Sequence, residues 1–183
     1  VWVTYTMQAT IAPTATARYT NTALISDGVH APLTRTATLW VPRLRLEGPS
    51  ESVYAGSVVD VPLWVDNVPG LHSFAAQIHF PAALVEVTDV TAGDWLSPLA
   101  WDTRTWNNVT GVLDLAAHLN EAGARSGGGV LAVVRLRARA AGVAALTFAS
   151  SALWDSDAET LAHNVLDGAM TISPRQARGT VLL

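Results

Sequence analysis

The chain contains no cysteine and no lysine. The first absence excludes disulfides and thiolate metal sites. The second leaves arginine as the basic side chain at all eleven basic positions, a coding bias with no structural meaning of its own. Charge of either sign is scarce: 14% of residues are charged and the net is −4. So mild a balance points to neither nucleic acid nor an anionic membrane as partner. Apolar runs are short and interrupted, as from Gly129 to Leu136 before Arg137. None approaches the roughly 20 residues of a membrane-spanning helix, so no membrane insertion is expected and the piece reads as soluble. The sequence opens at Val1 with no initiator Met, basic n-region or apolar h-region. It therefore reads as a part of something longer, with its signal peptide outside this piece.

Half of the 183 residues are hydrophobic, ample for a sizeable core. The richness in Val and Thr favours pleated, half-buried surfaces. Three strands are expected in the first forty residues, over Val1–Met7, Ala17–Ile25 and Thr34–Val41, with turns at Pro13 and Ser26–Gly28. Pro42 and Glu47-Gly48-Pro49-Ser50 bracket a change of module. Beyond it, Val59, Val61, Leu63 and Val65 alternate with Asp60, Pro62, Trp64 and Asp66. After a turn at Asn67-Val68-Pro69-Gly70, Phe74, Ala76, Ile78 and Phe80 alternate inward, leaving Ser73, Ala75, Gln77 and His79 outward. Further strands are expected over 84–91, 103–107, 111–118, 130–140, 144–149 and 169–173, with Gly127-Gly128-Gly129 as a flexible turn. Pro81–Leu84 has room for one helical turn, and no amphipathic helix stands out. Short strands at this spacing indicate an all-β, antiparallel two-sheet sandwich.

Little in the sequence carries catalytic chemistry. There is no Gly-x-Ser-x-Gly elbow, and the acidic residues fall mostly in turns or on outward strand positions. No catalytic residue is assigned. Of the five histidines, His72 and His79 fall on opposite faces of one strand by parity, and His30, His118 and His163 are isolated. No pair has the spacing of a metal site. Asp155-Ser156-Asp157-Ala158-Glu159 lacks the central Gly and distal Glu of a calcium loop and reads as an acidic turn. No metal and no cofactor are expected. Asn108-Val109-Thr110 is a glycosylation sequon in a hairpin loop.

The seven tryptophans stand out more. Trp side chains stack on sugar rings and anchor protein interfaces, though packing is their common use. Trp64 has outward parity, and Trp101 and Trp106 lie around the strand at 103–107; these three are the candidates for carbohydrate contact. Arg135, Arg137 and Arg139 alternate on one strand and share a face.

The order of motifs resembles the cohesin family. Ala55-Gly56-Ser57-Val58-Val59-Asp60-Val61-Pro62-Leu63-Trp64-Val65-Asp66-Asn67-Val68-Pro69-Gly70-Leu71 is similar to the family's opening strand and turn. Ser73 to Val87 resembles its next segment, except that Phe80 stands directly before Pro81 where an acidic residue is usual. Thr91-Ala92-Gly93-Asp94-Trp95-Leu96, Thr110-Gly111-Val112-Leu113, the Gly-rich lead-in from Gly127 to Leu136, and Leu153-Trp154-Asp155 follow in family order. The resemblance spans about residues 44 to 173. It implies a nine-stranded, jelly-roll-like sandwich that binds a dockerin-bearing protein through one flat sheet face, with the calcium carried by the dockerin. It implies a face built from Ser73, Ala75, Gln77, His79, Thr105, Asn107 and Asp114, joined by the apolar strand 144–149. It also implies that the arginine strand lies beside Trp64 on the opposite sheet. There an Arg–Trp stack is weighed against a solvated, edge-protecting stripe.

Tyr19–Ala23 and Thr34–Leu39 resemble the closing strands of Ig-like stalk repeats of bacterial surface proteins. The expected organisation is then 1–43 as the end of such a module, 44–174 as the cohesin-like sandwich, and 175–183 as a linker or the start of another module. The implied role is non-catalytic scaffolding outside the cell or at its surface. Polysaccharide binding through the tryptophans, or a spacer role in an adhesin, are the alternatives.

Overall fold

The computed structural model describes residues 18–25 and 33–175. The strand expected at Val1–Met7, the turns at Pro13 and Ser26–Gly28, His30 and residues 176–183 lie outside the described residues. β1 (Arg18–Ile25) and β2 (Leu33–Trp40) pair antiparallel from Arg18↔Trp40 to Ile25↔Leu33 and form a two-stranded sheet of their own.

The remaining strands are β3 (Arg43–Leu46), β4 (Val53–Tyr54), β5 (Val58–Leu71), β6 (Ser73–His79), β7 (Val85–Ala92), β8 (Leu99–Asn107), β9 (Val112–Leu119), β10 (Arg125–Ala138), β11 (Gly142–Trp154), β12 (Asn164–Leu166) and β13 (Gly168–Ser173). They build two sheets, ordered β12-β3-β5-β10-β7 and β4-β13-β11-β6-β9-β8. The expected alternation explains the packing. Val61, Leu63 and Val65 of β5 and Phe74, Ala76 and Ile78 of β6 are buried, and they meet Leu113, Leu115, Val134 and Leu136 between the sheets. No polar or charged residue is buried among the described residues. The core is held by apolar area, at roughly 25 cal/mol per Å² removed from water.

Three expectations change. The sandwich is mixed rather than antiparallel: β12 runs parallel to β3, and β13 parallel to β4. Each of these pairs joins an early strand to a late one, so no hairpin forces opposite directions. The turns expected at Asn67–Gly70 and Gly127–Gly129 are instead facing parts of one long ladder, with Ser126↔Pro69, Gly127↔Val68 and Gly129↔Val65 in register. Asn67 (φ 58°) and Gly70 (φ 136°) absorb bulges without ending β5, because Asn and Gly tolerate positive φ. And β8 and β11 extend well beyond 103–107 and 144–149. Pro81–Leu84 does form a single turn, Leu84 N–H donating to the Pro81 carbonyl over 2.8 Å.

The β8–β9 hairpin turns where expected. Gly111 has φ 72°, and a Cβ there would strike the Phe80 carbonyl. Asn108 in that hairpin reaches across to the other sheet. Its Oδ1 accepts from Val87 N–H (2.8 Å) and its Nδ2 donates to the Val87 carbonyl (2.9 Å), like a neighbouring strand. Arg104 donates to the Val90 carbonyl over 3.1 Å. The exposed edge of β7 is thereby capped by side chains of the facing sheet. The sequon asparagine is engaged in the fold through both ends of its amide.

Candidate functional site

The register of the six-stranded sheet sorts the outward side chains of β11, β6, β9 and β8 into rows. One row runs Thr147–His79–Val112–Asn107, the next Ser150–Gln77–Asp114–Thr105, the next Ala152–Ala75–Ala116–Thr103, and the last Trp154–Ser73–His118–Ala100. All seven residues expected on the face, Ser73, Ala75, Gln77, His79, Thr105, Asn107 and Asp114, fall within these rows.

The Ser150 row is polar across all four strands. Gln77 Nε2 donates to Asp114 Oδ1 over 2.8 Å, which fixes both side chains and leaves the second carboxylate oxygen without a partner among the described residues. The alanine row beside it carries nothing longer than a methyl until Thr103, so an approaching element can lie close to the backbone there. Asn107 is less free than expected: its Oδ1 accepts from Val109 N–H (2.8 Å) and Thr110 N–H (3.1 Å), capping the hairpin. His79 is exposed, at the lip of a shallow depression of about 420 Å³ bounded by Pro81, Thr110, Val143 and Thr147.

Sequence reasoning missed the polar share of β11. A bulge between Phe148 and Ser150 shifts the parity, so Ser150 and Ala152 join Thr147 on the outward side. The unbroken run from Thr147 to Trp154, free of Gly and Pro, is the signal that the strand continues.

The tryptophan candidates form no common platform. Trp101 and Trp106 turn inward and pack against the core, Trp101 edge-on to Phe74 with ring centroids 6.4 Å apart. Both pair with inward residues, Ala117 and Leu113. Trp64 lies on the outer face of the other sheet, where its expected exposure is reduced. The Arg45 guanidinium covers the ring at 4.8 Å, and the indole Nε1 is buried without a partner. The cation on Trp64 is thus Arg45 of β3, and not Arg135, Arg137 or Arg139.

Those three arginines are not on an edge either, since β10 lies between β5 and β7. Arg135 grips Asp60 through two hydrogen bonds (2.8 and 3.1 Å), and Arg137 (3.1 Å) and Arg139 (3.9 Å) share Glu86. On β3, Arg43 (3.1 Å) and Arg45 (3.0 Å) share Asp66, and Arg45 also meets Glu47 (2.6 Å). The hydrogen bond from Arg135 holds the Asp60 carboxyl below its ordinary range. Burial pulls the Arg45 guanidinium down, and its bonds to Glu47 and Asp66 more than offset that.

The acidic turn is self-contained: Asp155 Oδ1 accepts from the N–H groups of Asp157 and Glu159, both at 2.9 Å. Among the described residues no three His, Asp or Glu side chains gather as a metal cluster. Two histidines read as isolated or on another strand do meet. His72 sits in the break between β5 and β6, and its ring stacks on that of His118, centroids 6.4 Å apart.

The cohesin domain family model matches residues 45–172. The described sandwich is similar to a cohesin from a type I cohesin–dockerin complex of Clostridium thermocellum, at TM-score 0.64 and 19% identity over 74% of this chain and 95% of that one. It is similar also to a non-cellulosomal cohesin of the archaeon Archaeoglobus fulgidus, at TM-score 0.62 and 21% identity over 73% and 91%. A cohesin module from a family 33 glycoside hydrolase of Clostridium perfringens matches at TM-score 0.64 and 13% identity, over 74% and 98%. In sequence, cellulose-binding protein A of Clostridium cellulovorans is 27% identical over 92% of this chain, which spans 10% of that protein's length. The family model covers residues 45–172, more than half of the chain, and the chain belongs to the cohesin family.

Proposed function

We propose that this chain is a non-catalytic module that captures a dockerin-bearing protein on the outer face of β11, β6, β9 and β8, outside the cell or at its surface. The observation that carries this reading is the polar row Ser150–Gln77–Asp114–Thr105 lying in register beside the row Ala152–Ala75–Ala116–Thr103. A methyl-lined strip lets a partner helix approach closely, and the polar row supplies acceptors and hydroxyls for its side chains. The relatives solved with dockerins support the same partner class. Partner-facing roles are assigned to Ser73, Ala75, Gln77, His79, Thr105, Asn107 and Asp114, with Ser150 added. The assembly served is a surface or polysaccharide-degrading one, in which the module holds its partner in place.

Residues 1–43 are read as the closing strands of a separate Ig-like module, supported by the independent β1–β2 sheet, and 175–183 as a linker or the start of another module.

The test is calorimetric titration of the full chain with a panel of calcium-loaded dockerins. Saturable one-to-one binding to a member of the panel, abolished by chelation, is expected. Failure with every dockerin, together with retention on insoluble polysaccharide, would replace this reading with carbohydrate binding.

A further inference from the structure

His72 and His118 are brought together from opposite ends of separate strands, and each ring has one nitrogen already committed. His72 Nδ1 lies 2.7 Å from the Gly123 carbonyl oxygen, which can only accept, so Nδ1 carries the proton. His118 Nδ1 lies 2.9 Å from Asp102 Oδ2, again an acceptor, and the same tautomer follows. In the neutral form of both rings the Nε2 lone pair is left over, and neither Nε2 has a hydrogen-bond partner among the described residues. Tying Nδ1–H back to a carboxylate or a backbone carbonyl is how ligating histidines are oriented and made more basic. The backbone is anchored too: His72 N–H donates to the Trp154 carbonyl and Leu119 N–H to the His72 carbonyl, both at 2.8 Å.

His163 makes the contrast. Its Nδ1 donates to the Leu161 carbonyl (3.0 Å) and its Nε2 accepts from the Ser151 hydroxyl (2.9 Å), so both nitrogens are spent on the fold. His79 has neither nitrogen oriented by the protein, and no second imidazole beside it.

We propose that His72 and His118 form a two-histidine site for a divalent first-row ion of the zinc, copper and nickel class, with Asp102 and the Gly123 carbonyl as positioning groups. Imidazole suits these ions. A tetrahedral ion about 2.1 Å from each Nε2 needs the two nitrogens within about 3.4 Å of one another. The rings stand 6.4 Å apart between centroids and are inclined by 27°, so both are within reach of one ion once the side chains turn their Nε2 atoms toward it. The His118 side chain is 38% exposed and Asp102 54%, which leaves room for that movement and for water at the remaining positions. Among the described residues no third histidine or carboxylate joins the pair, so the site is open rather than closed. His118 belongs to the same row as Ser73, which puts those open positions at one end of the outward face of β6 and β9.

The experiment is titration of the full chain with Zn²⁺, followed by imidazole nitrogen NMR and by calorimetry. One ion per chain is expected, shifting the Nε2 resonances of His72 and His118 together while His163 stays put. Loss of at least tenfold in affinity is expected for His72→Ala and for His118→Ala. Asp102→Asn removes no ligand and weakens binding about tenfold through the orientation of His118. An unmoved His163 signal in each variant reports an intact fold. The proposal is overturned if neither ring responds at millimolar Zn²⁺, if only one responds, or if His72→Ala binds as tightly as the parent.

Discussion

The two outer faces of the sandwich use polar residues in opposite ways. On β3, β5, β10 and β7, nearly every charge meets its opposite on a neighbouring strand: Asp60 with Arg135, Glu86 with Arg137 and Arg139, Asp66 with Arg43 and Arg45. The ladder is electrically closed. The face of β11, β6, β9 and β8 carries no arginine in its four rows, and its carboxylate Asp114 is matched only by an amide. A surface that has satisfied itself gains little from a partner, whereas one that leaves acceptors oriented and methyls exposed gains on contact. Charge density alone would point to the opposite face from the one proposed for the partner.

The sharpest way to break this comparison is steric. Ala116→Arg fills the alanine row and should lower dockerin affinity by more than about 100-fold, in the range of interface hot spots. The unfolding midpoint should be unchanged. Val133→Arg on the opposite face should leave affinity within about twofold; equal losses from both would end the distinction. Next in size, Gln77→Ala combined with Asp114→Ala should weaken binding about 10- to 100-fold by calorimetry, since hydrogen bonds involving a charged group are worth about 1.5–3 kcal/mol.

The seam where the sheets meet belongs to neither face. Asn108→Ala strips both hydrogen-bonding atoms from Val87 and should cost about 1–3 kcal/mol in urea unfolding with dockerin binding retained. The smallest effect is expected on the ladder. Arg135 holds the Asp60 carboxyl below its ordinary value of 3.8. The pair therefore adds stability above that pH, and the contribution is lost as acidification passes the lowered folded value. Asp60→Asn should leave the protein marginally less stable at pH 7 and equal to the parent below the carboxylate range. Melting curves across pH 2–7 check this, and a gap that persists in acid would contradict the assignment.

Much of this was legible in advance wherever period-two alternation is unbroken. Val59 to Asp66 and Ser73 to Phe80 state their inner and outer sides directly, and that is why Ser73, Ala75, Gln77 and His79 share one side. That Thr105, Asn107 and Asp114 join them was implied by the cohesin resemblance and not by alternation. The reading faltered at bulges. Asn67–Gly70 and Gly127–Gly129 carry turn residues, yet each supplies the other with a pairing strand, which local sequence cannot express. The same cause hid Ser150, one bulge beyond where β11 was expected to stop.

Composition and alternation by themselves determined an all-β sandwich, much of its core, and the side that faces water in strands without bulges, because a strand's side chains alternate whatever it pairs with. Which strands become neighbours was decided only in the tertiary structure. Register set Arg45 on Trp64, Gln77 beside Asp114 and His72 against His118, residues 19, 37 and 46 positions apart. These contacts depend on hydrogen-bonded pairing between distant segments, and no local pattern encodes that distance.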